Sequence, residues 1–189
     1  VLYIVTTNDG KFREARELLA AYGIELGQIK DEKLEVQHDD IELIARVAAE
    51  EAFRRHRVPL IVDDTGLYVE ALNGFPGPYS SYVISKVGLR GFLKLMEGVE
   101  NRRACFRTAV AFADGTGVYT FTGETCGSIA ESPRGSGGFG YDPVFVPEGQ
   151  TRTYAEMGLE EKNAISHRGK ALRAFASWYL TRYYRPTQG

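Results

Sequence analysis

The stretch Leu60-Ile61-Val62-Asp63-Asp64-Thr65-Gly66-Leu67 decides how the rest of the chain is read. Apolar Leu60 to Val62 after Pro59 predict a buried strand, and two adjacent carboxylates followed by Thr-Gly predict a turn where that strand ends. A carboxylate taken out of water either shifts its pKa or finds a cation. The pair is therefore a candidate for a Mg²⁺ site or a general base. An Asx-turn, with Asp64 bonding its own backbone two residues on, accounts for the same letters. Other polar clusters along the chain separate the two readings.

Upstream, Val1 to Val5 are apolar and predict a buried first strand, too short for a signal peptide or a membrane span. Thr6-Thr7-Asn8-Asp9-Gly10-Lys11 follows, then a helix with apolar Phe12, Ala15, Leu18, Leu19 and Tyr22 that Gly23 ends. A strand, a polar turn and a helix start offer backbone N–H groups and a positive dipole end to a phosphate, and Lys11 adds a full charge. A cap by Thr7 or Asn8 with Lys11 in solvent is the plainer alternative. The Walker A pattern is absent. Ile24 to Ile29 predict a second strand. Asp39 and Glu42 resemble a capping box for a helix from about Ile41, with Ile41, Ile44, Ala45, Ala48 and Ala52 on one face. Glu35, in the polar connection between them, has no local duty.

Downstream, Leu67 to Val69 predict another strand, and Gly74-Phe75-Pro76-Gly77-Pro78 a rigid loop. Ser80 or Ser81 can cap a helix carrying Val83, Val87, Phe92, Leu93 and Met96, which Gly88 and Gly91 should break. Alternation from Arg103 to Ala113, a turn at Asp114-Gly115-Thr116-Gly117 and Val118 to Thr125 predict a β-hairpin. In the glycine-rich run Pro133 to Pro143, the backbone can approach a ligand and Phe139 and Tyr141 can stack on a flat ring, although a mobile loop explains the glycines equally well. Val144 to Val146 predict a short strand. Ser166 is a candidate N-cap that puts His167 and Arg168 in the first turn of a helix with Leu172, Phe175, Ala176 and Tyr179. Cations there oppose the dipole, which invites an anionic or carbonyl-bearing ligand.

Hydrophobic residues at 43% and charged residues at 25% fit a globular chain, and 189 residues without a linker fit one domain over 1–189. A net charge of -2 supplies no global field toward nucleic acid or membrane, so any phosphate binding must be local. Cys105 and Cys126 lie without a Cys-x-x-Cys pattern or neighbouring histidines, so neither a zinc site nor a disulfide is expected. A reduced cytosol fits, and the expected location is cytoplasmic.

Taken together, Thr6 to Lys11, Asp63-Asp64-Thr65-Gly66-Leu67, Gly74-Phe75-Pro76-Gly77, Phe139-Gly140-Tyr141-Asp142-Pro143 and Lys162-Asn163-Ala164-Ile165-Ser166-His167-Arg168 resemble, in order, the blocks of the inosine triphosphate pyrophosphatase family. The resemblance implies an α/β fold, elongated and two-lobed, with a central mixed sheet flanked by helices and a cleft between the lobes. It implies Mg²⁺-dependent hydrolysis of non-standard purine nucleoside triphosphates (ITP, dITP, XTP) to the monophosphate and pyrophosphate, by a homodimer without nucleic-acid or membrane partners. By position, Thr6, Thr7, Asn8, Asp9, Gly10 and Lys11 hold the triphosphate, and Glu35 with Asp64 hold Mg²⁺. Asp64 also activates water, and Thr65 touches substrate. Phe139, Gly140, Tyr141, Asp142, Lys162, His167 and Arg168 line the nucleotide, Phe139 by stacking and Arg168 at the 6-oxo group. Family members often have Glu-Asp-Ser-Gly-Leu where this chain has Asp-Asp-Thr-Gly-Leu, so the resemblance assigns Asp63 no role. A pyrophosphatase for modified pyrimidine or other altered nucleotides, and a catalytically silent nucleotide- or RNA-binding module, are the alternatives.

Overall fold

The computed structural model describes residues 1–183, so residues 184–189 of the expected single domain lie outside the described residues. The strands are β1 Leu2–Val5, β2 Leu26–Ile29, β3 Leu60–Val69, β4 Pro76–Gly77, β5 Arg103–Ala113, β6 Val118–Ile129 and β7 Phe145–Pro147. The helices are α1 Asp9–Ala21, α2 Ile41–His56, α3 Ser80–Leu95, α4 Leu159–Ile165 and α5 His167–Tyr183. The strands form one open mixed sheet in the order β2-β1-β3-β5-β6-β7, with β4 against β3. Among the described residues no helix is long and apolar enough to cross a membrane.

Period-2 alternation sorts the central strands onto two faces. On one face, Ile61, Val110 and Phe112 pack with Leu18 and Leu19 of α1 and with Leu172, Phe175 and Ala176 of α5. Further along the same face, Leu67, Val69 and Phe106 pack with Phe92 of α3 and with Tyr141, Phe145 and Tyr154. On the opposite face, Leu60, Val62, Ala109 and Ala111 pack against the apolar stripe of α2 predicted from the sequence. A short polar row, Asp63 and Thr65 on β3 with Thr108 on β5, separates the two apolar clusters of the first face. The candidate chemistry lies at this gap.

The acidic doublet does not end a strand. β3 runs without interruption from Leu60 to Val69 and pairs with β5 throughout, from Leu60 opposite Ala113 to Val69 opposite Ala104. Thr65-Gly66 therefore makes no turn, and the Asx-turn alternative fails with it. Gly66 serves a close approach instead, because a Cβ there would lie 2.5 Å from the Gly77 carbonyl oxygen of β4. The loop before β4 contains a cis Phe75–Pro76 bond.

Local signals fared unevenly. Asn8 caps α1, its side chain accepting from the Lys11 N–H at 3.1 Å. α2 begins where expected, but Asp40 is the cap in place of Asp39, accepting from the Glu42 N–H at 2.9 Å, while the Glu42 carboxylate turns to Thr120. Neither Ser80 nor Ser81 caps α3: the Ser80 hydroxyl accepts from the Leu67 N–H at 2.8 Å and donates to the Gly77 carbonyl at 2.7 Å, pinning β4 to β3. α3 breaks at Gly88, as its glycines predict, with φ 67° there. The hairpin forms, and its register overturns the expectation for the cysteines: Cys105 faces Cys126 across β5 and β6, and the two form a disulfide. They stand equidistant from the Asp114–Gly117 turn, so sequence separation hid a pair that hairpin symmetry would have found. A disulfide does not by itself imply export, since intracellular proteins of hyperthermophiles carry them.

Phe175 is fully buried where α5 meets the sheet. Phe175→Ala should lower the unfolding free energy by about 3–5 kcal/mol, measured by denaturant titration. A loss below about 1 kcal/mol would mean that this cluster does not hold α5 in place.

Candidate active site

Because neighbouring residues of a strand point to opposite faces, Asp63 and Asp64 do not share a site. Asp63 lies on the face covered by α1 and α5 and is 3% exposed. Its carboxylate accepts from Arg168 Nε at 2.7 Å and from the Thr65 hydroxyl at 2.7 Å, and it meets Lys11 Nζ at 2.9 Å. Burial alone would raise its pKa, but Arg168 and Lys11 together hold it well below the usual carboxylate range. Asp63 is thus a permanent counter-ion.

Arg168 carries the network onward. Its other nitrogens donate to Glu14 Oε1 at 2.9 Å and to Thr65 Oγ1 at 3.0 Å. Glu14 Oε2 in turn accepts from Lys162 Nζ at 2.6 Å, and Lys162 also donates to Asp142 Oδ2 at 2.6 Å. Lys11, Arg168 and Lys162 are thereby matched by Asp63, Glu14 and Asp142. Burial is the larger influence on Asp142 and raises its pKa against the pull of Lys162. His167 is 2% exposed, stacks on Phe106 with ring centres 4.4 Å apart, and has Nδ1 3.3 Å from the Tyr154 hydroxyl. Burial first, and then Arg168 and Lys162, push its pKa well below that of free histidine, so the ring is neutral. These contacts resolve the cations at the start of α5. Ser166 caps the helix, accepting from the Gly169 N–H at 3.0 Å, His167 is uncharged, and Arg168 is compensated from across the sheet.

On the other face, Lys33 Nζ donates to Asp64 Oδ1 at 2.7 Å, to Glu35 Oε1 at 3.2 Å and to the Asp63 carbonyl at 2.9 Å. The fold therefore gathers Asp64 and Glu35, which the sequence only suggested, around a lysine that the sequence reading did not single out. Asp64 is 7% exposed, and its Oδ2 is buried without a hydrogen-bond partner among the described residues. A hard divalent cation would satisfy such an orphan oxygen, and an all-oxygen set of two carboxylates suits Mg²⁺.

Two cavities meet here. The wide one, about 720 Å³, is lined by Thr6, Thr7, Asn8, Lys11, Glu35 and Asp64 among others. The narrow one, about 90 Å³, is lined by Phe139, Gly140, Tyr141, Asp142, His167 and Arg168. Asn8, Lys11, Thr65 and Ser81 border both, so they are the two ends of one cleft. Phe139 is half-buried, with Lys162 Nζ 4.8 Å and the Arg168 guanidinium 5.3 Å from its ring centre. Gly10 lies directly under it, where a Cβ would come within 2.3 Å of the ring. Tyr141 forms wall only: its ring sits edge-on to Phe92 in the core, and its hydroxyl donates to the Ser80 carbonyl at 2.7 Å. Asp9 stands apart from the cleft lining, exposed and bonded to Gln28. Glu14 and Lys33 are the partners that sequence reasoning missed. Glu14 left a signal, a carboxylate next to Ala15 on the buried stripe of α1. Lys33 left none. Chemically, the wide end offers Lys11 and the start of α1 beside a carboxylate pair, and the narrow end offers the Phe139 ring beside the Arg168 guanidinium.

Asp63→Asn removes one partner from a buried ion pair and should cost about 3–5 kcal/mol. Because the folded pKa of Asp63 is depressed, its contribution is fully present above about pH 4, the unfolded value, and is lost as pH falls through the folded value. Denaturant titrations should therefore show a wild-type advantage that is constant above about pH 4 and shrinks below it. Equal stability of the two proteins at pH 7 would remove Asp63 from the network.

The family model described as the Ham1 family matches residues 2–178. A dITP/XTP pyrophosphatase of Pyrobaculum aerophilum is 52% identical over 179 residues, covering 95% of this chain and 96% of the relative. One from Hyperthermus butylicus is 52% identical over 186 residues, covering 98% and 97%. Among solved structures, a HAM1 protein from Coxiella burnetii superposes with a TM-score of 0.78 at 32% identity, over 96% of this chain and all of the other (100%). The Staphylococcus aureus Ham1 protein superposes with a TM-score of 0.77 at 27% identity, over 95% and 99%. With the fold, the ordered motifs and these relatives in agreement over nearly its whole length, the chain belongs to the Ham1 family.

Proposed function

We propose that this protein hydrolyses non-standard purine nucleoside triphosphates, such as dITP, ITP and XTP, to the monophosphate and pyrophosphate. The observation that carries the reading is the cleft itself, a wide polar end where Lys11 and the start of α1 stand beside Asp64 and Glu35, joined to a narrow aromatic end, in a chain about half identical to dITP/XTP pyrophosphatases. The net charge of -2 and the carboxylate pair in the cleft speak against a silent RNA-binding module.

In this mechanism the triphosphate lies along the start of α1, where Thr6, Thr7, Asn8 and Lys11 line the wide cavity and the helix dipole favours an anion. Lys11 already shares its ammonium with Asp63, which fixes its position before substrate arrives. Asp64 and Glu35 would hold Mg²⁺, which when bound shields phosphate charge and activates water. Asp64 accepts the proton of the water that attacks the α-phosphorus, since a general base must lie within hydrogen-bond reach of its proton. The base enters the narrow end, stacks on Phe139, and presents its 6-oxo group to a remaining N–H of Arg168. Four of the five guanidinium N–H groups are taken, two by Asp63 and one each by Glu14 and Thr65, so the direction of the remaining donor is fixed in advance. Gly140, Asp142, Lys162 and His167 shape that end around the base. The protein acts in the cytoplasm as a homodimer, and exposed Tyr82, Val87 and Leu95 of α3 supply apolar surface for a second copy.

Adenine offers an amine where hypoxanthine offers the 6-oxo group, and a site built on such a hydrogen bond discriminates by about 10⁴ or more. Steady-state assays should give a kcat/KM for ITP above that for ATP by a factor of that order, with pyrimidine triphosphates also poor. Equal rates for ITP and ATP would refute the base reading. Asp64→Asn should fold normally and lower kcat by at least about a hundredfold, the size of a positioned general base. Near-normal turnover would refute its role.

A further inference from the structure

The ammonium of Lys33 occupies the centre of the carboxylate pair that the proposed mechanism gives to a divalent cation. Its three N–H groups are spent on Asp64 Oδ1 at 2.7 Å, the Asp63 carbonyl at 2.9 Å and Glu35 Oε1 at 3.2 Å, which exhausts the donors of an ammonium. The side chain is only 10% exposed, so this is no loosely solvated surface pair. Lys33 also lies on an irregular segment between β2 and α2, not on a helix or strand, so its position can change without disturbing the sheet. One carboxylate oxygen, Asp64 Oδ2, stays without a partner even so.

Lys33 holds one oxygen of each carboxylate, Asp64 Oδ1 and Glu35 Oε1, so a metal on the same two groups would have the ammonium as a close neighbour. A Mg²⁺ ion sits about 2.0–2.1 Å from each oxygen ligand. A lysine nitrogen on the neighbouring oxygens of the same carboxylates would then stand within a few ångströms of a double positive charge and be repelled by it. Entry of the metal therefore favours withdrawal of Lys33. The wide cavity that it lines, together with Thr6, Thr7, Asn8 and Lys11, is the place where a triphosphate offers an ammonium a new partner.

We propose that Lys33 is a built-in placeholder cation. It neutralises Asp64 and Glu35 in the metal-free protein, is displaced by the divalent ion, and then pairs with the substrate phosphates. The inference rests on Asp64 and Glu35 being metal ligands. It makes binding of the two ligands mutually reinforcing: metal alone must evict Lys33 without compensation, whereas metal with nucleotide gives it a partner. Such a coupling is a property of binding, so each ligand must raise the affinity for the other by the same factor. Lys33 is in this sense a positioning residue that delays assembly of the metal centre until a polyphosphate is present.

The test is titration calorimetry of Mg²⁺ binding, alone and with a non-hydrolysable inosine triphosphate analogue, on the wild type, Lys33→Met and Lys33→Gln. Circular dichroism confirms that each variant is folded, and Gln keeps a stem and amide donors if Met does not fold. Removing the resident charge should tighten Mg²⁺ binding in the absence of nucleotide at least about fivefold, the lower end of ordinary coupling between sites, and should reduce the gain produced by the analogue. Mg²⁺ binding that is unchanged or weaker in the folded variant, while Asp64→Asn abolishes it in a parallel titration, would overturn the placeholder and leave the metal site standing. Mg²⁺ binding indifferent to Asp64→Asn would overturn both.

Discussion

The ion pair between Arg168 on α5 and Asp63 in the middle of β3 is the contact on which the rest of the site depends. It bridges 105 positions of sequence and lies in the polar gap between two apolar clusters of one sheet face. Taking both charges out of water is costly, and the cost is offset only when good geometry and further hydrogen-bond partners accompany the pair. Here Thr65, Lys11 and Glu14 supply those partners, and Glu14 extends the chain to Lys162 and Asp142. The network spans β3, α1, the segment before β7, α4 and α5. Losing Asp63 strands Lys11 and losing Lys162 strands Asp142, so the two ends of the chain of charges hold the cleft wall in one arrangement.

The adjacent carboxylates show how strand geometry divides labour. A one-residue step along β3 sends Asp63 to a cation on one side and Asp64 to Lys33 and Glu35 on the other. The first side chain has all the positive charge it can use, while the second, which lines the wide cavity, keeps a buried oxygen without a partner among the described residues. The same alternation puts Thr65 beside Asp63, its hydroxyl linked to Thr108 at 2.8 Å across the β3–β5 pair. A site assembled mid-strand is stiffer than one at a turn, because ladder hydrogen bonds fix the backbone on which the base is mounted.

What could be read in the sequence was mostly local or periodic. The Asn8 cap, the apolar stripe of α2, the Gly88 break, the Ser166 cap and the β5–β6 hairpin each follow from a few neighbouring residues. The continuity of β3 was hidden, because Asp-Asp-Thr-Gly has the letters of a turn and only β5, more than 40 residues along the chain, holds that stretch extended. Glu14 and Lys33 were hidden for a related reason. Their meaning lies in partners, Arg168 and Asp64, that only the folded sheet brings near. Arg168 and His167 were found because they break a helix-dipole rule, although what resolves the conflict is burial and Asp63 as much as any ligand. The ordered motifs carried the family from sequence alone, and the geometry explains why those residue types are needed together.

The most direct measurement of the central claim, attack by an Asp64-activated water on the α-phosphorus, is phosphorus NMR of the products formed from inosine triphosphate with Mg²⁺ in water enriched in the heavy oxygen isotope. The account requires inosine monophosphate and pyrophosphate, with the isotope only in the monophosphate. Orthophosphate as the product, or isotope in the pyrophosphate, would contradict it.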